Sequence, residues 1–189
     1  MKIAILGSTK GTDLQYIIDA IEDDRLKNIE VAVVISNKEH SGILELASNH
    51  DIEALHLSPK DKEKEAYDQE ISKILQEKKV ELILLIGYMK ILSKEFVTTW
   101  KRKILNVHPS LLPKFAANMD LNVHQAVLDS DEKESGMTIH YVDAGVDTGE
   151  IILQKKCEIE PEETAESLKA KVQKLEGEGF VEVLKKFSK

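Results

Sequence analysis

Apolar residues run unbroken through IAIL at 3–6, VAVVI at 31–35 and LILLI at 82–86. Strands of that kind are buried on both faces, which parallel sheets achieve by carrying helices above and below. Between these runs the apolar positions recur at helical spacing. YIIDAIEDDRL at 16–26 and SGILELASNH at 41–50 predict amphipathic helices, and IEALHLS at 52–58 predicts a short strand. The charged run at 60–79 hides Ala66, Tyr67, Ile71, Ile74 and Leu75 at the same spacing, so its charges predict a solvated helix face. ELILLIGY at 81–88 and ILNVH at 104–108 then predict strands, with a short helix in SKEFVTTW at 93–100. This alternation predicts an α/β fold: a Rossmann-like, mostly parallel sheet flanked by helices.

The rhythm changes after residue 108. A loop through FAANMD leads to NVHQAVLDS at 122–130, a short helix. GMTIHYVD at 136–143 and GEIILQKKCEI at 149–159 predict two strands joined by AGVDTG, and Pro161 precedes a final helix starting near Glu162 or Thr164. With no internal repeat, low-complexity segment or interdomain linker, a single domain over 1–189 is expected. Its last third is expected to close over the carboxyl ends of the parallel strands, where open sheets bind ligands.

Charge narrows the partners. The formal net charge is −8, with acids and bases mixed along the chain, which argues against the basic stripe of a general nucleic-acid binder. It leaves room for one basic pocket for a phosphorylated small molecule. Cys157 is the single cysteine and cannot form an internal disulfide. Without a signal peptide or long apolar span, the expected setting is cytoplasmic, with no membrane partner.

Three stretches carry candidate chemistry. GSTKGTD at 7–13 joins the first strand to the first helix, and N–H groups opening a helix can hold an anion. It is neither a Walker A nor a GxGxxG sequence, and it fits equally a plain turn with Thr12 or Asp13 as N-cap. In LNVHPSLLPK, Asn106 and His108 share one side of a strand that Pro109 terminates. An amide N–H can stabilise an oxyanion and an imidazole can move a proton near neutral pH; two polar residues on an exposed strand end fit as well. In 136–152 a loop carries Asp143 and Asp147 with Gly145 and Gly149, which suits turn chemistry with unusual backbone angles. It also suits a carboxylate that orients His108 and raises its pKa. His124 and His140 lack metal-ligand spacing, so no metal is expected and both are expected to be structural or supporting residues; Cys157 is expected to be inert.

Taken together, the N-terminal Gly-containing loop, GYMKILS at 87–93, LNVHPSLLPK at 105–114 and VDTGEIILQ at 146–154 resemble the phosphoribosylglycinamide formyltransferases of purine biosynthesis. The blocks match in order and spacing over nearly the whole chain. The resemblance implies transfer of a formyl group from the co-substrate 10-formyltetrahydrofolate to the glycine amine of glycinamide ribonucleotide, without a metal. It implies a nucleotide-binding half over 1–100 and a catalytic, folate-binding half over 101–189, in a monomer or homodimer. By position it assigns catalysis to Asn106, His108 and Asp147. Gly11, Thr12, Asp13, Gln173 and Glu176 fall at ribonucleotide positions, and Lys64, Met89, Lys90, Ile91, Leu92 and Asn106 at folate positions, with the 142–147 loop walling the pterin.

Several residues depart from that family's usual pattern. Asp13 stands where Asn is common, and a carboxylate facing a phosphate is unfavourable unless it points away. Lys64 and Lys90 stand where Arg is frequent, keeping charge but losing the planar fork. Ala144 replaces an acidic residue. Ala116, Ala117 and Asn118 occupy a segment often rich in glycine, where a positive φ would be strained. Related activities remain open: methionyl-tRNA formyltransferase, formyltetrahydrofolate deformylase, an N-formyltransferase for a nucleotide-linked amino sugar, or a relative that binds without turnover. The first two are expected to carry additional domains, and the acidic charge also disfavours tRNA.

Overall fold

Alternation along the first strand creates two cores. In β1 (Lys2–Gly7), Ile3 and Ile5 turn to one face of the sheet while Ala4 and Leu6 turn to the other. The computed structural model describes residues 1–117 and 121–188. Along it follow α1 (Thr12–Glu22), β2 (Glu30–Ser36), α2 (Gly42–Asn49), β3 (Ala54–His56), α3 (Lys64–Glu77), β4 (Leu82–Ile86), α4 (Lys94–Thr99), β5 (Ile104–His108), α5 (Leu121–Leu128), β6 (Glu134–Tyr141), β7 (Ile151–Glu158) and α6 (Ala165–Phe187). Helices α1, α2, α5 and α6 pack with Ile3 and Ile5, and α3 and α4 with Ala4 and Leu6. Asn118 falls outside the described residues.

The strands lie in the order β3-β2-β1-β4-β5-β6-β7. Pairing is parallel from β3 to β5 and antiparallel at β5–β6 and β6–β7. The chain therefore moves outward from β1 to β3 and restarts on the other side of β1 with β4. Loops leaving the carboxyl ends of β1 and β4 part there and open a crevice, the usual ligand position in such sheets.

Some boundaries and packing differ from expectation. Helix α3 buries Tyr67, Asp68, Ile71 and Leu75, whereas Ala66 is exposed because it lies off that stripe. Asp68 is tolerated inside because its carboxylate accepts the Ser93 N–H at 2.6 Å, tying α3 to α4. β6 starts at Glu134, before the expected Gly136, and β7 spans only Ile151–Glu158. The final helix begins at Ala165, with Thr164 and Ser167 forming a reciprocal capping box. Neither Thr12 nor Asp13 caps α1. That position belongs to Gly11 at φ 76°, where a Cβ would also sit 2.4 Å from Ile43.

Gly149 has a steric rather than a conformational reason. Positive φ is confined to Gly11 and Gly87 among the described glycines, so Gly145 and Gly149 do not supply the unusual angles expected of them. A Cβ on Gly149 would instead lie 1.7 Å from the Tyr141 backbone oxygen. Gly149→Ala is therefore expected to force that carbonyl aside and destabilise the protein by about 1–3 kcal/mol. Chemical denaturation checks this, and an unchanged midpoint would show that the carbonyl yields freely.

Candidate active site

The catalytic candidates meet because β5 and the β6–β7 connection end side by side. His108 closes β5, is buried, and rests on a turn held from β6: Thr138 donates its hydroxyl to Ser110 O at 2.7 Å and accepts from Leu112 N–H at 3.0 Å. In the connection Asp143 is structural, its carboxylate accepting from Gly145 N–H and the Thr148 hydroxyl. This leaves Asp147 at φ 55°, aimed at the histidine. Asp147 Oδ2 lies 3.2 Å from His108 Nδ1, and Oδ1 lies 3.6 Å from Nε2 of His140.

Both ring nitrogens of His108 face oxygen. Opposite the Asp147 contact, Nε2 lies 3.0 Å from Phe115 O. A neutral ring, with one N–H, donates to one of these two oxygens, and only the charged ring donates to both. Asp147 acts to raise the His108 pKa, as expected, but its effect is not the largest. Burial outweighs Asp147 and the Phe115 carbonyl and holds the imidazole below its ordinary value, so the neutral ring dominates at neutral pH. Burial would push Asp147 up, but the Ala117 N–H at 3.0 Å and the neighbouring His108 hold it below the usual carboxylate value; His140 Nε2, at 3.6 Å, is beyond hydrogen-bond reach. Phe115 and Ala117 stand at φ 58° and 61°, so two non-glycine residues carry the left-handed backbone that a glycine-rich segment would adopt without cost.

These residues open on a cavity of about 650 Å³ at the crevice. Its lining contains Asn106, His108, Asp147, Met89, Lys90, Ile91, Leu92, the whole 142–147 loop, Thr12, Asp13, Gln173 and Glu176. Two of the expected binding residues are not among the lining. Lys64 is exposed at the first residue of α3, and Gly11 acts through its backbone beneath Ile43. Met89 and Ile91 are 43% and 62% exposed, an apolar wall left open to the crevice. Lys90 places its ammonium 5.4 Å from the Tyr67 ring centre. The Met89 N–H is committed to Ser8 Oγ at 2.9 Å, so it is not a donor for a ligand. Ser8 thereby pins the β1–α1 loop to that wall, a role not legible in GSTKGTD. Among the described residues no cluster of three or more His, Cys, Asp or Glu is arranged to hold a metal, and no helix is long and apolar enough to cross a membrane.

Asp13 does not point away as an N-cap would. It is 5% exposed, lines the cavity, and its Oδ1 is buried without a hydrogen-bond partner. Burial pushes its pKa up to about 7, and burial plus the Asp13 charge raises Glu176 on α6 well above the usual carboxylate value. Folded Asp13 thus keeps its proton over a range in which the unfolded chain has lost it. The resulting stability is fully present below the unfolded value near 3.8 and is lost as pH rises through about 7. Asp13→Asn, which needs no proton, is expected to be roughly 1–3 kcal/mol more stable than the parent at pH 8, with little difference at pH 4. Thermal unfolding of both proteins across that range checks it; a pH-independent difference would exclude the proton-bearing acid.

A strand-ended histidine, an amide two residues before it and a facing carboxylate thus line one crevice at the carboxyl edge of a mostly parallel sheet. Residues 1–184 match the family model described as Formyl transferase, and the chain belongs to that family. It is 40% identical over 188 residues to phosphoribosylglycinamide formyltransferase of Haemophilus influenzae, covering 99% of this chain and 87% of that protein. It is also 40% identical over 185 residues to the trifunctional purine biosynthetic protein adenosine-3 of Drosophila melanogaster, of which it spans only 14%. The crystal structure of glycinamide ribonucleotide transformylase 1 from Symbiobacterium toebii superposes with a TM-score of 0.93 at 35% identity, covering all of this chain and 87% of that one.

Proposed function

We propose that this chain is a phosphoribosylglycinamide formyltransferase, moving a formyl group from 10-formyltetrahydrofolate to the glycine amine of glycinamide ribonucleotide in purine biosynthesis. The observation that carries the reading is the 3.2 Å approach of His108 and Asp147 beside Asn106 in one cavity. In this reading residues 1–100 supply the nucleotide-binding half and 101–189 the catalytic and folate-binding half. Met89, Ile91 and Leu92 form an apolar wall for the flat pterin, closed by the 142–147 loop. The N–H groups opening α1 at residues 12 and 13, with Lys10, suit the phosphate. Gln173 and Glu176 supply polar contacts to the same end.

His108, neutral by virtue of burial, accepts the proton lost as the substrate amine attacks the formyl carbon. Asp147 steadies the imidazolium so formed, and Asn106 Nδ2–H together with the charged ring faces the tetrahedral oxyanion. Each such donor contributes about 3 kcal/mol. His108 then returns the proton to the departing folate nitrogen and is neutral again. The Phe115 carbonyl yields Nε2 during this exchange.

Asp13 favours testing a second acceptor, because a buried acid at the phosphate end disfavours a dianion whenever it is ionised. Purified protein is incubated with a 10-formyl folate analogue and either glycinamide ribonucleotide or a nucleotide-linked amino sugar, and loss of the formyl donor is followed. Turnover with the ribonucleotide is expected. Turnover with the sugar alone overturns the acceptor, and binding of both substrates without turnover makes the chain a non-catalytic relative.

A further inference from the structure

The sequence casts His140 as a supporting residue, and its surroundings give that support a definite form. It lies directly across the antiparallel β5–β6 ladder from Asn106, so backbone register alone brings the two side chains together. The β6–β7 pairing shifts register between Ile139 and His140, and such irregularities re-aim side chains. The ring is 2% exposed and lines the cavity. Its Nδ1 donates to Tyr141 O at 2.9 Å, which requires the proton on that nitrogen. Its Nε2 lies 3.2 Å from Asn106 Nδ2, a donor that carries two hydrogens and accepts nothing. The Asp147 carboxylate is farther, at 3.6 Å.

We propose that His140 is a positioning residue: as the Nδ1-protonated neutral tautomer it accepts one N–H of Asn106 and thereby aims the other at the oxyanion. The alternative tautomer would set N–H against N–H and release the amide to rotate, leaving its carbonyl free to face the developing negative charge. Gly149 belongs to the same support, because only a residue without Cβ lets the chain pass over the Tyr141 carbonyl that holds the ring. This inference rests on the formyl-transfer reading for its kinetic consequence, but its structural content can be measured without turnover.

The test uses His140→Leu, which keeps bulk and removes the acceptor, and His140→Gln, whose Oε1 can accept from Asn106 while its Nε2 donates to Tyr141 O. His140→Leu is expected to lower kcat about 100-fold, the scale of one lost oxyanion donor, with KM for both substrates changed less than about threefold. His140→Gln is expected to recover most of that loss. In an Asn106→Ala background His140→Leu is expected to change kcat less than about twofold, since there is no amide left to aim. A purely structural histidine would instead add its full loss in that background and be rescued no better by Gln than by Leu. Wild-type kcat in a folded His140→Leu, or full additivity with Asn106→Ala, overturns the proposal. Ring ¹⁵N chemical shifts of the whole protein at about pH 7.5 read the tautomer independently. An imidazolium or an Nε2-protonated ring overturns the proposal even if the chain transfers no formyl group. An Nδ1-protonated ring in a protein without turnover sustains the contact while the function reading fails.

Discussion

His108→Ala is expected to lower kcat for formyl transfer by about 100- to 10,000-fold, the span of a positioned acid–base group, while the protein stays folded. The size follows from the ring's two duties: it carries a proton from amine to folate nitrogen, and in its charged form it faces the oxyanion. Both vanish together. The binding wall at Met89, Ile91 and Leu92 and the polar end at Gln173 and Glu176 are untouched, so KM should move far less than kcat. The truncation also removes the ring from beside Phe115 O and leaves Asp147 one partner fewer. A steady-state comparison with far-UV circular dichroism as the folding control checks the prediction. Retention of more than a tenth of the activity would show that another group moves the proton.

Asp147→Asn is expected to cost about 100-fold or more in kcat/KM. The carboxamide that replaces the carboxylate keeps one oxygen, and the Ala117 N–H, at 3.0 Å from Oδ2 in the parent, claims it. That oxygen still faces His108 Nδ1, which meets the same Oδ2 in the parent, while the amide nitrogen falls at the Oδ1 position beside His140. What is lost is the charge that stabilises imidazolium. Because Asp147 acts to raise the His108 pKa against burial, its removal lowers that pKa further. The acidic limb of the pH profile of kcat/KM, which reports the free enzyme's essential base, should therefore move to lower pH. An unchanged rate and limb would exclude the pairing seen at 3.2 Å.

The parallel part of the fold was legible because its strands are buried on both faces. IAIL and LILLI need no partner to be recognised, and the helices between them carry their own period. The antiparallel part was less so: Glu134 and Ser135 look like loop, yet they pair with Glu158 and Cys157, a fact of register rather than of composition. Asn106 and His108 were legible as chemistry only in company with Asp147, since N-x-H on a strand end fits an exposed edge equally well. What stayed hidden depends on burial and on backbone atoms. The acid at Asp13 reads as a helix-start residue until its burial against α6 is seen. The Phe115 carbonyl on His108 has no signature in any side chain. His140, alternating with apolar neighbours in GMTIHYVD, gains its meaning from the cross-strand partner that the ladder assigns.

Helix α6 has a consequence for how the protein is made. Leu168, Val172, Phe180, Val183 and Leu184 belong to the same core as Ile3, Ile5, Leu14 and Ile17. Gly177 and Gly179 let the helix lie so close that a Cβ at either would meet Tyr16 or Met137. During synthesis, which runs at about 5–20 residues per second, the first strand and helix emerge long before this covering. For many seconds the part of that face left uncovered by α1 and α2 stays open, and its apolar residues must be kept from other chains until α6 leaves the ribosome. The same delay withholds Gln173 and Glu176, so the crevice is completed only as that face is sealed.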